Sequence, residues 1–144
     1  MKDGFLKVRA ASPALRVADC IYNKEQIIAA MEDASASGVR LLCLPELCIT
    51  GYTCGDLFLQ QSLQRSAEEA LADILQASTA HDMVVLVGLP LSLQGKLYNC
   101  AAIMHRGRLL GLVPKTYIPN YGEFYEKRHF QEGPSEPREI DCAG

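Results

Sequence analysis

Apolar residues along this chain recur sometimes every second position and sometimes every third or fourth, and the change of period predicts its strands and helices. Leu6, Val8 and Ala10 alternate against Lys7 and Arg9, which predicts a first strand over Phe5 to Ala11. Asn23 is the predicted N-cap of a helix, with Gln26 at the capping-box position. Ile27, Ile28, Met31 and Ala34 then recur at helical spacing until Gly38 ends the helix. Val39 to Leu44 is apolar apart from Arg40 and has lost alternation, as a strand covered on both faces does. Ser62 to Ala80 predicts a second helix, with Ala67, Ala70, Leu71, Ile74 and Leu75 as its apolar stripe. Met83 to Leu89 predicts a strand stopped by Pro90. Gly95 marks a hairpin turn into Leu97–His105, and Arg106-Gly107 marks another into Leu109–Val113. Strands alternating with helices, followed by hairpin strands, indicate an α/β chain with a mixed sheet. Internal repeats, low-complexity runs and linkers are absent, and only Gly133 to Pro137 has loop-like composition.

Two junctions in this pattern share a grammar. The run ending at Leu44 meets Pro45 and then a carboxylate, Glu46, before the turn Thr50-Gly51-Tyr52. The run Leu109–Val113 meets Pro114 and then an ammonium, Lys115. Proline fixes φ and donates no hydrogen bond, so it suits the last residue of a strand. In α/β sheets ligands bind just beyond the carboxyl ends of strands. The two junctions are therefore expected to deliver Glu46 and Lys115 to one rim. Spacing alone fits a structural ion pair at least as well as a catalytic pair, since buried charges need partners in either case.

Composition narrows the function classes. At 144 residues the chain is one domain's worth of polypeptide, and 49% hydrophobic with 22% charged residues is ordinary for a globular protein. A net charge of −3 offers no basic surface for nucleic acid or anionic membrane. No window approaches the roughly 20 apolar residues that span a bilayer, and the N-terminus lacks a signal-peptide pattern. The six cysteines are scattered, without a C-x-x-C, and the three histidines share no ligand spacing with them, so no metal site is expected. Cys43 and Cys100 lie in strand-like runs and are expected to be buried, reduced thiols, which fits a cytoplasmic setting.

The segments LPELCITGYTCGDLF and VPKTYIPNYGEFYEKRHF resemble the first two motifs of the nitrilase superfamily. More narrowly, they resemble the glutaminase domains of glutamine-dependent NAD+ synthetases, and the resemblance runs from the first strand to Gly133. It implies a nitrilase-like αββα sandwich of two sheets, of which residues 1–144 would form the first half, with a separate synthetase domain outside this chain. It implies Glu46 as general base and Lys115 as the cation that stabilises the carbonyl oxygen's developing charge. Glu126 matches an additional carboxylate kept near that lysine, although an ion pair with Lys127 or Arg128 remains open. Tyr121 matches a position that contacts glutamine, and Tyr52 and Phe124 are candidate pocket residues. Asp56 reads as a turn or cap residue.

The third member of the implied triad is a cysteine nucleophile. Cys142 is the only cysteine after Lys115, and its neighbours Arg138-Glu139-Ile140-Asp141 are too polar for the apolar strand that precedes such a nucleophile. The nucleophile is therefore expected beyond Gly144, and the fragment alone is expected to be inactive. The resemblance further implies glutamine as substrate, a synthetase domain of the same full-length chain as partner, and a homo-oligomer. It implies no cofactor for the glutaminase part, with ATP and magnesium expected only in the synthetase domain; this sequence has neither a Ser-Gly-Gly-type loop nor a Walker pattern. Two other readings stay open: a single-domain nitrilase-family amidase or carbamoylase, and a non-catalytic nitrilase-like binding module.

Overall fold

The computed structural model describes residues 4–140 and 142. In chain order they form β1 (Val8–Ala10), α1 (Cys20–Ala36), β2 (Leu41–Cys43), a 3₁₀ turn (Gly55–Leu59), α2 (Gln61–Ala77), β3 (Val84–Leu93), β4 (Lys96–His105), β5 (Arg108–Pro114) and a last 3₁₀ turn (Glu126–Arg128). The five strands make one sheet in the order β1-β2-β3-β4-β5. Strands β1 to β3 are parallel, connected through α1 and α2, and β3 to β5 are antiparallel. Both hairpins turn on residues with positive φ, Gln94-Gly95 and Arg106-Gly107, the backbone that a right-twisted two-residue hairpin requires. The α/β class and the mixed sheet are thus as the periodicity predicts.

One face of the sheet carries the core. Leu42, Val85, Val87, Leu89, Cys100, Ala102 and Met104 are buried with the helix residues Ile27, Met31, Ala34, Ala67, Ala70, Leu71 and Ile74. The intervening positions Leu41, Leu86, Ala101 and Ile103 are only half-buried, and Cys43 and Val113 are exposed. Cys43 therefore departs from the expectation of a buried thiol. A three-residue strand has one side chain on one face and two on the other, and Cys43 shares the open face with Leu41.

Three boundaries also differ from the sequence pattern. The first strand is shorter than expected because only Val8–Ala10 pair with β2. Asn23 is not the cap of α1: Asp19 is, and its carboxylate accepts the Tyr22 N–H at 3.0 Å. Asn23 lies inside the helix, fully buried, where its side chain accepts from Arg16 N at 2.7 Å and donates to Arg16 O at 2.7 Å and Ile49 O at 3.0 Å. One amide thereby fastens the helix entry to the loop that follows Glu46.

Pro90 does not stop β3, which runs on to Leu93. Pro90 faces Asn99 across the ladder. Asn99 and Leu97 turn their carbonyls away from β3, toward Lys115 N (2.7 Å) and Gln131 N (2.8 Å). The Pro90–Asn99 pair is thus one of the alternate positions that exchange no backbone bonds in an antiparallel ladder. On its other side β3 has lost β2, whose pairing ends at Cys43–Leu86. A missing N–H costs nothing on that edge.

Away from the rim, Asp82 receives Arg40 at 2.6 Å, His105 at 3.0 Å and Arg106 at 3.0 Å, tying the start of β3 to β2 and to the β4–β5 hairpin.

Asn23→Ala should destabilise the chain by about 1–3 kcal/mol, because it strands the buried Ile49 carbonyl and removes both bonds to the part-buried Arg16 backbone. Urea unfolding followed by circular dichroism measures this, and an unchanged midpoint would contradict the bracing role.

Candidate active site

Past β2 the chain does not leave the sheet at once. Leu44 N donates to Leu86 O at 3.0 Å and Ile49 N to Gly88 O at 3.2 Å, so the Pro45–Ile49 turn borrows the β3 edge that β2 vacates. Leu47, directly after Glu46, is fully buried at φ +52°, a left-handed backbone that a residue with a Cβ adopts only when its surroundings impose it. Gly88 supplies the surface it is pressed against. A Cβ there would stand 2.3 Å from Leu47 N and 2.7 Å from Pro45 O. Only a glycine admits the turn this close to β3, and the turn in this position aims Glu46 at the rim.

Lys115 arrives one residue beyond the Cys100–Pro114 pair, with its backbone N–H on Asn99 O at 2.7 Å. Its ammonium donates to Glu46 Oε1 at 2.8 Å and to both oxygens of Glu126 at 3.0 Å. The structure thus brings together the three charged residues that the sequence singles out. Asn99, which the sequence reading missed, donates its side-chain amide N–H to Glu46 Oε1. Tyr52 donates its phenol O–H to Glu126 Oε1 at 2.8 Å. The Glu126 side chain is 7% exposed against 43% for Glu46, so a bound molecule meets Glu46 and finds Glu126 behind the lysine. The cleft in front is walled by Glu46, Lys115, Asn99, Gly88, Leu86 and Val113, with Cys43 at its edge.

Loss of water around Lys115 pulls its pKa down, but the hydrogen bonds it donates to Glu46 and Glu126, and the charges of those carboxylates, outweigh this and hold it above the ordinary value. Lys115 is a permanent cation at neutral pH, suited to stabilise negative charge and not to accept a proton. Desolvation pushes the Tyr52 phenol up, and the hydrogen bond to Glu126 adds to it, so Tyr52 remains a donor. Among the described residues no group of three or more His, Cys, Asp or Glu side chains is placed to hold a metal.

A second cluster holds the Glu126 turn in place. Asp56 is not simply a cap: its carboxylate takes both Arg128 Nε at 2.7 Å and Arg128 Nη2 at 2.9 Å, with His129 Nε2 at 3.1 Å. Phe58 packs edge-on against Phe130 at 5.0 Å beside them. The 3₁₀ turn after Tyr52 is thereby clamped to the one that carries Glu126. Arg128 is consumed by Asp56, and Lys127 pairs with Glu132 at 3.1 Å, so neither competes for Glu126. Of the remaining candidates, Tyr121 is exposed and its ring meets Phe124 at 5.7 Å; neither lines the cleft beside Glu46. Tyr52 and Glu126 line a separate hollow with Phe58 and His129.

All six thiols are free. Burial pushes Cys48 and Cys20 up to about 11 and Cys100 to about 12, and it raises Cys142 as well. These four stay protonated at neutral pH. Cys142 lines a hollow with Leu109–Leu112 and Arg138–Ile140 that shares no residue with the cleft at Glu46.

The sequence profile described as Carbon-nitrogen hydrolase matches residues 7–143. The chain belongs to the carbon–nitrogen hydrolase family. Among family members, a glutamine-dependent NAD(+) synthetase of Mycobacterium tuberculosis is 36% identical over 141 residues, covering 98% of this chain and 21% of that protein. One from Aquifex aeolicus is 35% identical over 139 residues, covering 96% of this chain and 24% of that protein. The chain therefore spans about a fifth to a quarter of the length of these curated relatives. The crystal structure of a glutamine-dependent NAD(+) synthetase from Cytophaga hutchinsonii superposes with a TM-score of 0.86 at 35% identity, over 92% of this chain and 22% of that one. An amidase from Nesterenkonia sp. shares the fold, with a TM-score of 0.75 at 22% identity over 100% of this chain and 54% of that one. The nitrilase-like fold and the similarity to the NAD+ synthetase branch both stand.

Two outcomes test how this chain holds its rim. Gly88→Ala should cost about 1–3 kcal/mol in urea unfolding, since the new methyl must displace the Pro45–Leu47 backbone; a wild-type midpoint would mean the turn moves freely. Asp56 has its carboxyl lowered from 3.8 to about 2, by the Arg128 hydrogen bond first and His129 second. A depressed folded pKa contributes stability that is present above the unfolded value and lost as pH falls through about 2. Asp56→Asn should therefore flatten the decline in thermal midpoint between about pH 4 and pH 2. An equally steep decline would remove Asp56 from the acid response.

Proposed function

We propose that this chain is part of the glutaminase unit of a glutamine-dependent NAD+ synthetase. The observation that supports this best is the Glu46–Lys115–Glu126 cluster at a sheet rim, in a chain 36% identical to such a synthetase. Glutamine is the proposed substrate, and the nucleophile is a cysteine thiol supplied by residues beyond Gly144.

In this reading Glu46 takes the thiol proton as the sulfur attacks the glutamine carboxamide carbon, because the thiolate is the competent nucleophile. The C=O electron pair moves onto oxygen, where the Lys115 ammonium stabilises it. Collapse of that intermediate breaks the C–N bond, and the proton held by Glu46 leaves with the amine as ammonia. Water then attacks the resulting thioester, Glu46 again accepting the proton, and glutamate and the free thiol are released. Glu126 touches neither reacting atom. It keeps Lys115 charged and oriented while Glu46 changes its protonation state.

The ammonia would serve ATP-dependent amidation of nicotinic acid adenine dinucleotide in a synthetase domain of the same full-length protein, where ATP and magnesium would bind. A homo-oligomer and a cytoplasmic setting complete the proposal. The first rests on resemblance, and the second on the free thiols together with the absence, among the described residues, of a helix long and apolar enough to cross a membrane. Cys142 has no part in the reaction.

Two assays test the proposal. The 144-residue chain should release no glutamate from glutamine; turnover abolished by Cys142→Ala would identify that thiol as the nucleophile and overturn the assignment. Grafted in place of the matching segment of the A. aeolicus synthetase, the chain should support glutamine-dependent NAD+ formation. In that graft Glu46→Gln should lower the glutamine-dependent rate by roughly 10²–10⁴-fold while ammonia-dependent synthesis persists. Equal loss of both rates would count against a role confined to glutamine hydrolysis.

A further inference from the structure

Asn99 joins the two halves of the rim through different parts of one residue. Its backbone carbonyl accepts the Lys115 N–H at 2.7 Å, while its side-chain amide donates to Glu46 Oε1, the same oxygen that the Lys115 ammonium reaches at 2.8 Å. The amide orientation is dictated by chemistry, since an ionised carboxylate only accepts and the group facing it must be the NH₂. Asn99 is buried, in a strand whose inward neighbours are apolar, where an amide is retained only if it is hydrogen-bonded.

Its surroundings leave Asn99 free for this task. Facing Pro90 across the ladder, it owes β3 no backbone bond, so its carbonyl is available to Lys115. Glu46 arrives on a turn supported from behind by Gly88 and Asn23, but neither touches its carboxylate. Two donors meet that carboxylate at one oxygen, Oε1, and neither of them reaches the second.

We propose that Asn99 is a positioning residue that sets the Glu46–Lys115 contact: it holds the carboxylate so that one oxygen stays on the ammonium and the other faces the cleft. The positioning is independent of the reaction; its benefit to amide hydrolysis rests on the proposed function of Glu46. A fixed carboxylate spares a reacting thiol the cost of ordering its base, and small misplacements of such groups are expensive in rate.

The test uses the 144-residue chain and does not depend on turnover. Lys115 acetylation by acetic anhydride at pH 8 is followed by mass spectrometry, with the exposed Lys96 as internal standard. In Asn99→Ala the carboxylate swings away, less of the Lys115 amine is held as ammonium, and its labelling rate should rise roughly threefold or more relative to Lys96. Glu46→Gln should produce a similar rise, and Asn99→Ala combined with Glu46→Gln no further one, because Asn99 acts through Glu46. Wild-type labelling in Asn99→Ala, or additive effects in the double variant, would overturn the proposal. If the alanine variant is not folded by circular dichroism, Asn99→Ser answers the same question with the same two outcomes. Should labelling behave as expected while the Glu46→Gln graft keeps its glutamine-dependent rate, the positioning stands and the proposed function fails.

Discussion

The rim depends on one electrostatic arrangement, a single ammonium held between two carboxylates. Lys115 meets Glu46 and Glu126 within 3.0 Å, and the trio carries an excess negative charge in a place that is only partly wet. Such a group holds together only if each charge has a partner and the geometry is imposed from outside. The surrounding structure supplies that imposition. The Pro45 turn brings Glu46, the end of β5 brings Lys115, and the Asp56–Arg128–His129 clamp brings the turn bearing Glu126. The two carboxylates differ in accessibility, so one is available to a bound molecule and the other is committed to the lysine.

Much of this was legible in the chain itself. Apolar periodicity located both helices, the hairpins and the strands within a few residues, because burial of a face leaves its period in the sequence. The two Pro-then-charge junctions pointed to Glu46 and Lys115, since proline at a strand end leaves a physical mark. Membership of the carbon–nitrogen hydrolase family followed from segments around those same residues. The choice of Glu126 over its basic neighbours needed the fold, where Asp56 and Glu132 occupy Arg128 and Lys127.

Other features were hidden because they depend on what lies across a strand or behind a loop. Asn23 looked like a helix cap because asparagine usually is one ahead of an apolar stripe. Its burial reflects an entry segment folding back onto the helix. Pro90 looked like a strand terminator, and only the ladder's alternation reveals that its missing N–H is never called upon. Cys43 shares an apolar run with Leu42 but faces the open side of the sheet. Asn99 carried a weak signal, an amide among Leu97, Cys100, Ala101 and Ala102, which in hindsight marks a polar obligation inside the sheet.

Strand β3 contributes no charge to the rim, yet Gly88 governs it by what it lacks. Gly88 has no side chain where the Glu46 turn must lie, and a Cβ there would meet the Leu47 and Pro45 backbone. Such control by omission leaves no contact to be seen at the reacting groups. Substitutions ranked by the bonds they break at Glu46 would pass over Gly88, although the turn that aims Glu46 lies against it. In this domain the tolerance of a position to change follows the vacancy it preserves as much as the interaction it makes.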